Sequence, residues 1–204
     1  MSRAPNTTKR RKQIVEGLMT AMADHGYDGA TTQIIAAEAG LTPGVIHYHF
    51  DSKQSILIEL IDHLFQLLEE RYHKLLKSNR PSDQLTAFIN AHVAFGKGES
   101  KKAVLCWVAI GAEAVKQPEV KLAYQNATSK QLVKLETILK DLLKQSGRKS
   151  TKTKEIALAI VAAIDGTYRL QVSAPKHIVR GFAQATINDI ALDLIRSRSQ
   201  SKQK

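Results

Sequence analysis

The stretch whose reading decides the fold is Thr31-Thr32-Gln33-Ile34-Ile35-Ala36-Ala37-Glu38-Ala39-Gly40-Leu41-Thr42-Pro43-Gly44-Val45-Ile46-His47-Tyr48-His49-Phe50-Asp51. Thr31-Thr32 can cap a short helix over 33–39, whose apolar face is Ile34, Ile35, Ala36 and Ala39. Gly40 supplies the left-handed residue that closes such a helix. Pro43 suits the first turn of a second short helix, running to about Tyr48. Leu41, Val45 and Ile46 would bury the inner side of that helix. Thr42, Pro43, Gly44, His47 and Tyr48 are then left on or near its outer side. Two helices joined by a tight glycine turn make a helix-turn-helix, and short polar or aromatic groups on the outer side suit a major groove and its phosphates.

Outward from this stretch the helix signals continue. Ile14, Leu18, Ala21 and Met22 form one face of a preceding helix that Thr7 or Thr8 could cap and that stops at His25-Gly26. From Ser52 a long amphipathic helix runs to about Lys77, until Asn79-Arg80-Pro81 breaks it. Further helices are expected over 83–96, 100–116, 118–145, 151–173 and 175–197. No stretch combines strict alternation with hairpin turns, so no strand is expected and the fold class is all-α. The expected organisation is a three-helix DNA-binding domain over 1–53 and a helical bundle over 54–204 for ligand sensing and dimerisation. The helix from Ser52 would be shared between them.

The run Gly26-Tyr27, Thr31 to Ala36, Ala39-Gly40-Leu41 and Gly44 to Lys53 resembles the TetR-family signature over about residues 9–60. The resemblance implies three DNA-binding helices, the third of them the recognition helix. Carried over position by position, it implies that Thr32, Thr42, Gly44, His47, Tyr48, His49 and Lys53 meet DNA or shape the reading head. Position 47 departs from the family, which most often has tyrosine there. Lys53 starts a helix, where the positive end of the dipole adds to its own charge, so a phosphate contact is its expected role. Arg10 and Arg11 stand at the start of the first helix and are candidates for backbone or minor-groove contact. His49, beside Phe50, is expected to steady the recognition helix by packing or hydrogen bonding. His47 and His49 are two apart on a helix and point away from each other, so no metal site is expected.

Charge agrees with a nucleic-acid partner. The 204 residues carry a formal net charge of +11. Arg3, Lys9, Arg10, Arg11 and Lys12 begin the chain without an acid, and Arg196, Arg198, Lys202 and Lys204 end it without one. The C-terminal tail reads rather as a solvated, solubilising end. The longest apolar runs are shorter than the roughly 20 residues of a membrane span, and no secretory pattern follows the basic start. A cytoplasmic protein without a membrane partner is therefore expected. The single Cys106 sits in an apolar run and reads as a small buried hydrophobe rather than a redox sensor. There is no phosphate loop, nucleophile elbow, zinc spacing or triad, so no enzyme, catalytic residue or cofactor is expected. A sequence-neutral nucleic-acid binder and a helical protein-interaction module are the alternatives. The first is separated by salt-resistant preference for one palindrome, and the second leaves residues 31–53 unexplained.

The C-terminal half has few aromatics: Phe65, Tyr72, Phe88, Phe95, Trp107, Tyr124, Tyr168 and Phe182. Trp107 and Tyr168 each share a helix with an acid in apolar surroundings, Glu113 and Asp165 respectively. A buried acid beside aromatic rings can hold a cation. Trp107, Glu113, Tyr124, Asp165 and Tyr168 are therefore the candidate effector residues, with a small organic cation or a neutral metabolite as ligand. Trp107, Glu113-Ala114, Pro118 and Ile164-Asp165-Gly166 with Arg169 are similar to the BetI-type C-terminal class, named after regulators of choline metabolism. The last two helices carry apolar faces that include Ile160, Ile164, Phe182, Ile190 and Leu194, the expected homodimer interface. The function expected is a ligand-responsive regulator, a repressor, that binds double-stranded DNA at a palindromic operator as a dimer and is released by a small-molecule effector.

Overall fold

The computed structural model describes residues 4–93, 101–149, 151–179, 181–197 and 200–201. Phe95 and the cationic Arg3, Arg198, Lys202 and Lys204 lie outside the described residues. Among those described, nine α-helices make an all-α protein: α1 (Ala4–Gly29), α2 (Thr32–Glu38), α3 (Pro43–His49), α4 (Lys53–Leu75), α5 (Pro81–Val93), α6 (Lys101–Lys116), α7 (Pro118–Gln145), α8 (Thr153–Ser173) and α9 (Phe182–Ser197).

Three local expectations are corrected. Helix α1 starts at Ala4, ahead of Thr7 and Thr8, because Pro5 suits a first turn and nothing after it interrupts propagation. Its break does fall at Gly26, where φ is 69°. The last helix starts at Phe182 rather than 175, since Pro175–His177 forms a 3-10 turn and Gly181 takes a φ of 81° that no helix interior accepts. Finally, Arg148–Lys149 (β1) pairs antiparallel with Gln200–Ser201 (β2). Two residues are too few for a period-two pattern, so this pairing leaves no mark in the sequence.

The chain divides into two compact units. The first comprises Met1–Gln66 and Ser100–Ala127, the second Leu67–Glu99 and Thr128–Lys204. The expected split at residue 53 follows chain order, whereas the first unit also takes in α6, which packs on α1. In this unit Ile14, Leu18, Ile35, Ala36, Ile46, Phe50, Leu57 and Leu60 form the core. Cys106 of α6 is buried there with its Sγ 3.4 Å from the Met19 carbonyl, and burial pushes the thiol up to about 12.

Helices α1 and α2 meet at Gly17. A Cβ built there would lie 2.7 Å from the Ile35 carbonyl oxygen and 3.0 Å from Ala39 Cβ. The obstructing atom is helix backbone and cannot rotate away. Gly17→Ala gains up to about 1 kcal/mol of helix propensity, but overpacking of this kind costs about 1–3 kcal/mol. The variant is expected to unfold at lower urea than the parent, and an unchanged or higher midpoint would show that the two helices can part without cost.

In the second unit α5, α8 and α9 pack on one another. Phe88, Ile89, Ile156, Ile160, Ile164, Ile187 and Ala191 are buried, and Asn188 of α9 donates to Asn90 Oδ1 of α5 at 3.2 Å. Helix α8 has the length and hydropathy of a membrane span. Here its Ile156, Ile160 and Ile164 instead form the centre of the unit.

Candidate nucleic-acid interface

The turn between α2 and α3 is built from local hydrogen bonds. Thr31 caps α2 by accepting from the Ile34 amide at 3.3 Å. At the other end the Leu41 amide donates to Ala36 O at 2.9 Å and the Gly40 amide to Ala37 O at 3.1 Å. This double closure requires a left-handed residue, and Gly40 supplies it with φ of 64°. Thr42 then turns the chain into α3 in an extended conformation, with Pro43 in the first turn and no side-chain cap from Thr42 itself. The residue is exposed.

Burial separates the two sides of α3. Ile46 is buried and Leu41 and Val45 are half-buried, whereas Thr42, Pro43, Gly44, His47 and Tyr48 are exposed. Tyr48 is 72% exposed, a large aromatic held away from any core. Its ring meets that of His49 edge-on, with centroids 5.0 Å apart. Thr32 is half-buried at the first position of α2.

The expected cations are largely engaged within the protein. Arg11 donates to the Glu59 carboxylate and, at 2.5 Å, to the carbonyl of His49, and its guanidinium lies 4.0 Å from the centroid of Phe50. It thereby ties α1 to the C-terminal end of α3 and to α4. Arg10 donates to Gln13 at 3.0 Å. Ser52 and Ser55 cap α4 reciprocally through amide-to-hydroxyl bonds of 3.2 and 3.1 Å. At the first position of α4, Lys53 donates to the Tyr27 carbonyl at 2.7 Å and lies 4.3 Å from the Tyr27 ring centroid. The Tyr27 carbonyl, near the end of α1, thus engages the ammonium for which a phosphate contact was expected.

A polar junction behind the reading head was not anticipated. Gln54 of α4 donates to Gln117 Oε1 at 2.9 Å, and Gln117 donates to Glu113 Oε2 at 2.7 Å. Lys116 donates to Glu113 Oε1 at 3.1 Å. Tyr27 hydrogen-bonds Gln117, although burial, the larger influence, raises its phenol above the usual range. Both oxygens of the buried Glu113 are thus in use. Residues 54 and 117 are too far apart in sequence for any local pattern to announce the contact.

The other expected site residues divide between the units. Trp107 and Tyr124 stack in the first, with centroids 4.8 Å apart and planes at 29°. Asp165 is half-buried and Tyr168 buried on α8 in the second. The dimer expectation needs a correction. Ile160 and Ile164 are 0% and 1% exposed inside their own unit and cannot meet a partner. Helical periodicity finds an apolar face without saying what covers it. Phe182 and Ile190 are 42% and 40% exposed, Leu158, Leu170 and Leu192 are also exposed, and Leu194 is half-buried.

Comparison with known proteins agrees with this architecture. Residues 14–60 match the bacterial regulatory proteins of the tetR family, and residues 81–196 match the C-terminal part of BetI-type transcriptional repressors. The HTH-type transcriptional regulator BetI of Vibrio vulnificus is 26% identical over 183 residues, 88% of this chain and 89% of its own length. A TetR-family regulator from Rhodococcus sp. superposes with a TM-score of 0.81 at 19% identity, over 92% of this chain and 98% of that one. A transcriptional regulator from Saccharomonospora viridis, solved in complex with choline, does so with a TM-score of 0.77 at 22% identity, over 94% and 98%. With a tetR-type match on its helix-turn-helix and a BetI-type match over more than half its length, the chain belongs to the TetR family of DNA-binding transcriptional regulators.

Proposed function

We propose that this regulator is an effector-released repressor that binds a palindromic operator as a homodimer in the cytoplasm. The observation that carries the reading is the outer side of α3, where Thr42, Pro43, Gly44, His47 and the 72% exposed Tyr48 form a contiguous surface on a rigid helix-turn-helix. Thr32 borders it at the start of α2. Arg11, His49 and Lys53 act from behind, holding α3 and the start of α4 in place; Arg10, Arg11 and Lys53 can add charge for the phosphates. Exposed Phe182 and Ile190 on α9, with Leu158 and Leu170 on α8, supply an apolar surface for a second copy. Two-fold symmetry would set the two α3 helices about 34–36 Å apart, one per successive major groove.

Tyr48→Ala is expected to weaken operator binding by about 1–3 kcal/mol, the range for a lost DNA contact, while helicity and dimerisation persist. Lys53→Ala is expected to weaken binding too, with a lower thermal midpoint because its bond to Tyr27 is lost. Fluorescence anisotropy on labelled operator measures both; full affinity in Tyr48→Ala would remove α3 as the reading helix. Preference for one palindrome that survives added salt separates this function from sequence-neutral binding.

The effector is a small organic cation on this reading, supported by the BetI-type match and by the choline complex of the Saccharomonospora viridis regulator. Titrating choline against the operator complex, with Trp107 fluorescence followed in parallel, tests it. An effector must bind the two conformations unequally, because equal affinity shifts nothing.

A further inference from the structure

Lys134 of α7 holds its ammonium 3.5 Å from the centroid of the Tyr72 ring and 2.6 Å from Glu69 Oε2. Glu69 and Tyr72 are three apart on α4 and share one helix face. A carboxylate and an aromatic face directed at one point make a seat for a cation. The chain fills that seat with its own lysine. The pair is not sealed: the side chains of Lys134 and Glu69 are 25% and 31% exposed. Solvent still reaches both partners, so the pair is partly screened and another cation can compete.

His92 of α5 supplies a second, independent observation. Its ring is 5% exposed and its Nδ1 lies 2.7 Å from the Phe88 carbonyl oxygen. A carbonyl can only accept, so Nδ1 carries the proton and Nε2 is left as an acceptor. Nε2 is buried without a partner among the described residues. Buried acceptors are seldom left so, because the lost hydration is not replaced. The charges of Lys134, Glu69 and Arg71 all act on this ring.

We infer that Glu69, Tyr72 and His92 form the seat of a small organic ammonium ligand that carries a hydroxyl, and that Lys134 occupies the cation half of this seat in the free protein. The ammonium head displaces Lys134 from Glu69 and Tyr72, and the hydroxyl donates to His92 Nε2. The inference rests on the cation-effector reading above. It moves the cation from Glu113, whose oxygens are engaged by Lys116 and Gln117, to the second unit.

The test is calorimetric titration of the full chain with two probes, choline and tetramethylammonium, which share a quaternary head but differ in the hydroxyl. Lys134→Met removes the competing cation and is expected to bind both probes roughly ten-fold more tightly than the parent, whereas Lys134→Arg keeps the competitor and is expected to bind as the parent does. His92→Leu is expected to lose roughly ten-fold in choline affinity and none in tetramethylammonium affinity. Circular dichroism checks that each variant folds; Lys134 is open enough to solvent for methionine to be tolerated. Unchanged affinities in Lys134→Met, or equal losses for both probes in His92→Leu, would overturn the inference. Should choline bind and respond only to changes at Trp107 or Glu113, this seat is wrong and the cation effector stands. Should neither probe bind the parent or Lys134→Met, the cation reading itself falls.

Discussion

Ile190→Asp is expected to leave a folded monomer that no longer holds its operator. Ile190 is 40% exposed on α9, so an aspartate there is solvated in the single chain and the unit folds as before. On dimerisation through α8 and α9 the carboxylate would enter an apolar contact without a partner. An uncompensated buried charge costs about 3–5 kcal/mol, and two-fold symmetry counts it once per protomer. That is a large part of the free energy of an ordinary dimer. A monomer offers the operator a single α3, so specific binding falls with the dimer. Phe182→Glu should behave alike. Ile160→Asp is the contrasting variant: at 0% exposure it places the charge inside the second unit, and unfolding rather than clean dissociation is expected. Light scattering at micromolar concentration distinguishes these results. An Ile190→Asp protein that still scatters as a dimer would move the interface off this part of α9.

The second large effect is acid lability centred on His92. Burial pushes its imidazole down to about 4 from the usual 6.5. Its Phe88 bond and the Glu69 charge act the other way, while Lys134 and Arg71 reinforce the depression. Above pH 6.5 the ring is neutral in both folded and unfolded chains, and its titration contributes nothing to stability. As pH falls through 6.5 the unfolded chain takes up a proton that the native chain refuses, so stability declines until about pH 4. Between pH 7.5 and 5 the loss amounts to about 2 kcal/mol, at 1.36 kcal/mol per pKa unit. Urea midpoints across that range measure it. His92→Leu is expected to flatten the decline by about that amount, because leucine cannot take a proton in either state. An equally steep decline in His92→Leu would assign the acid sensitivity to another group.

Much of the reading head was legible from residue order alone, because its structure is local. Thr31 as cap, Gly40 as left-handed closure and Pro43 as first-turn residue act on neighbours within five positions, and each appears where local chemistry requires it. The inner and outer sides of α3 followed from helical spacing, and Ile46 buried against Tyr48 exposed agrees with it. The last helix starts later than the expected 175 for an equally local reason: Gly181, with φ of 81°, breaks it.

The sequence by itself determined that the chain is helical, where most helices start and stop, and which short segment forms a helix-turn-helix with an exposed polar and aromatic outer side. Those properties depend on φ, on capping and on periodicity within a few turns. Only the tertiary structure decided which apolar faces are covered and which charges already have partners. Ile160 and Ile190 look alike along their helices, yet one is sealed in the core and the other exposed. Glu113 looks like a cation seat in its apolar run, yet Lys116 and Gln117 hold it. Tyr72 reads only as one of the few aromatics and Glu69 carries no signal, yet Lys134, 65 residues from Glu69, bonds Glu69 and lies over the ring of Tyr72. Pairings of that separation depend on how helices pack, and a helix face records only that it is apolar or charged, not which residue will meet it.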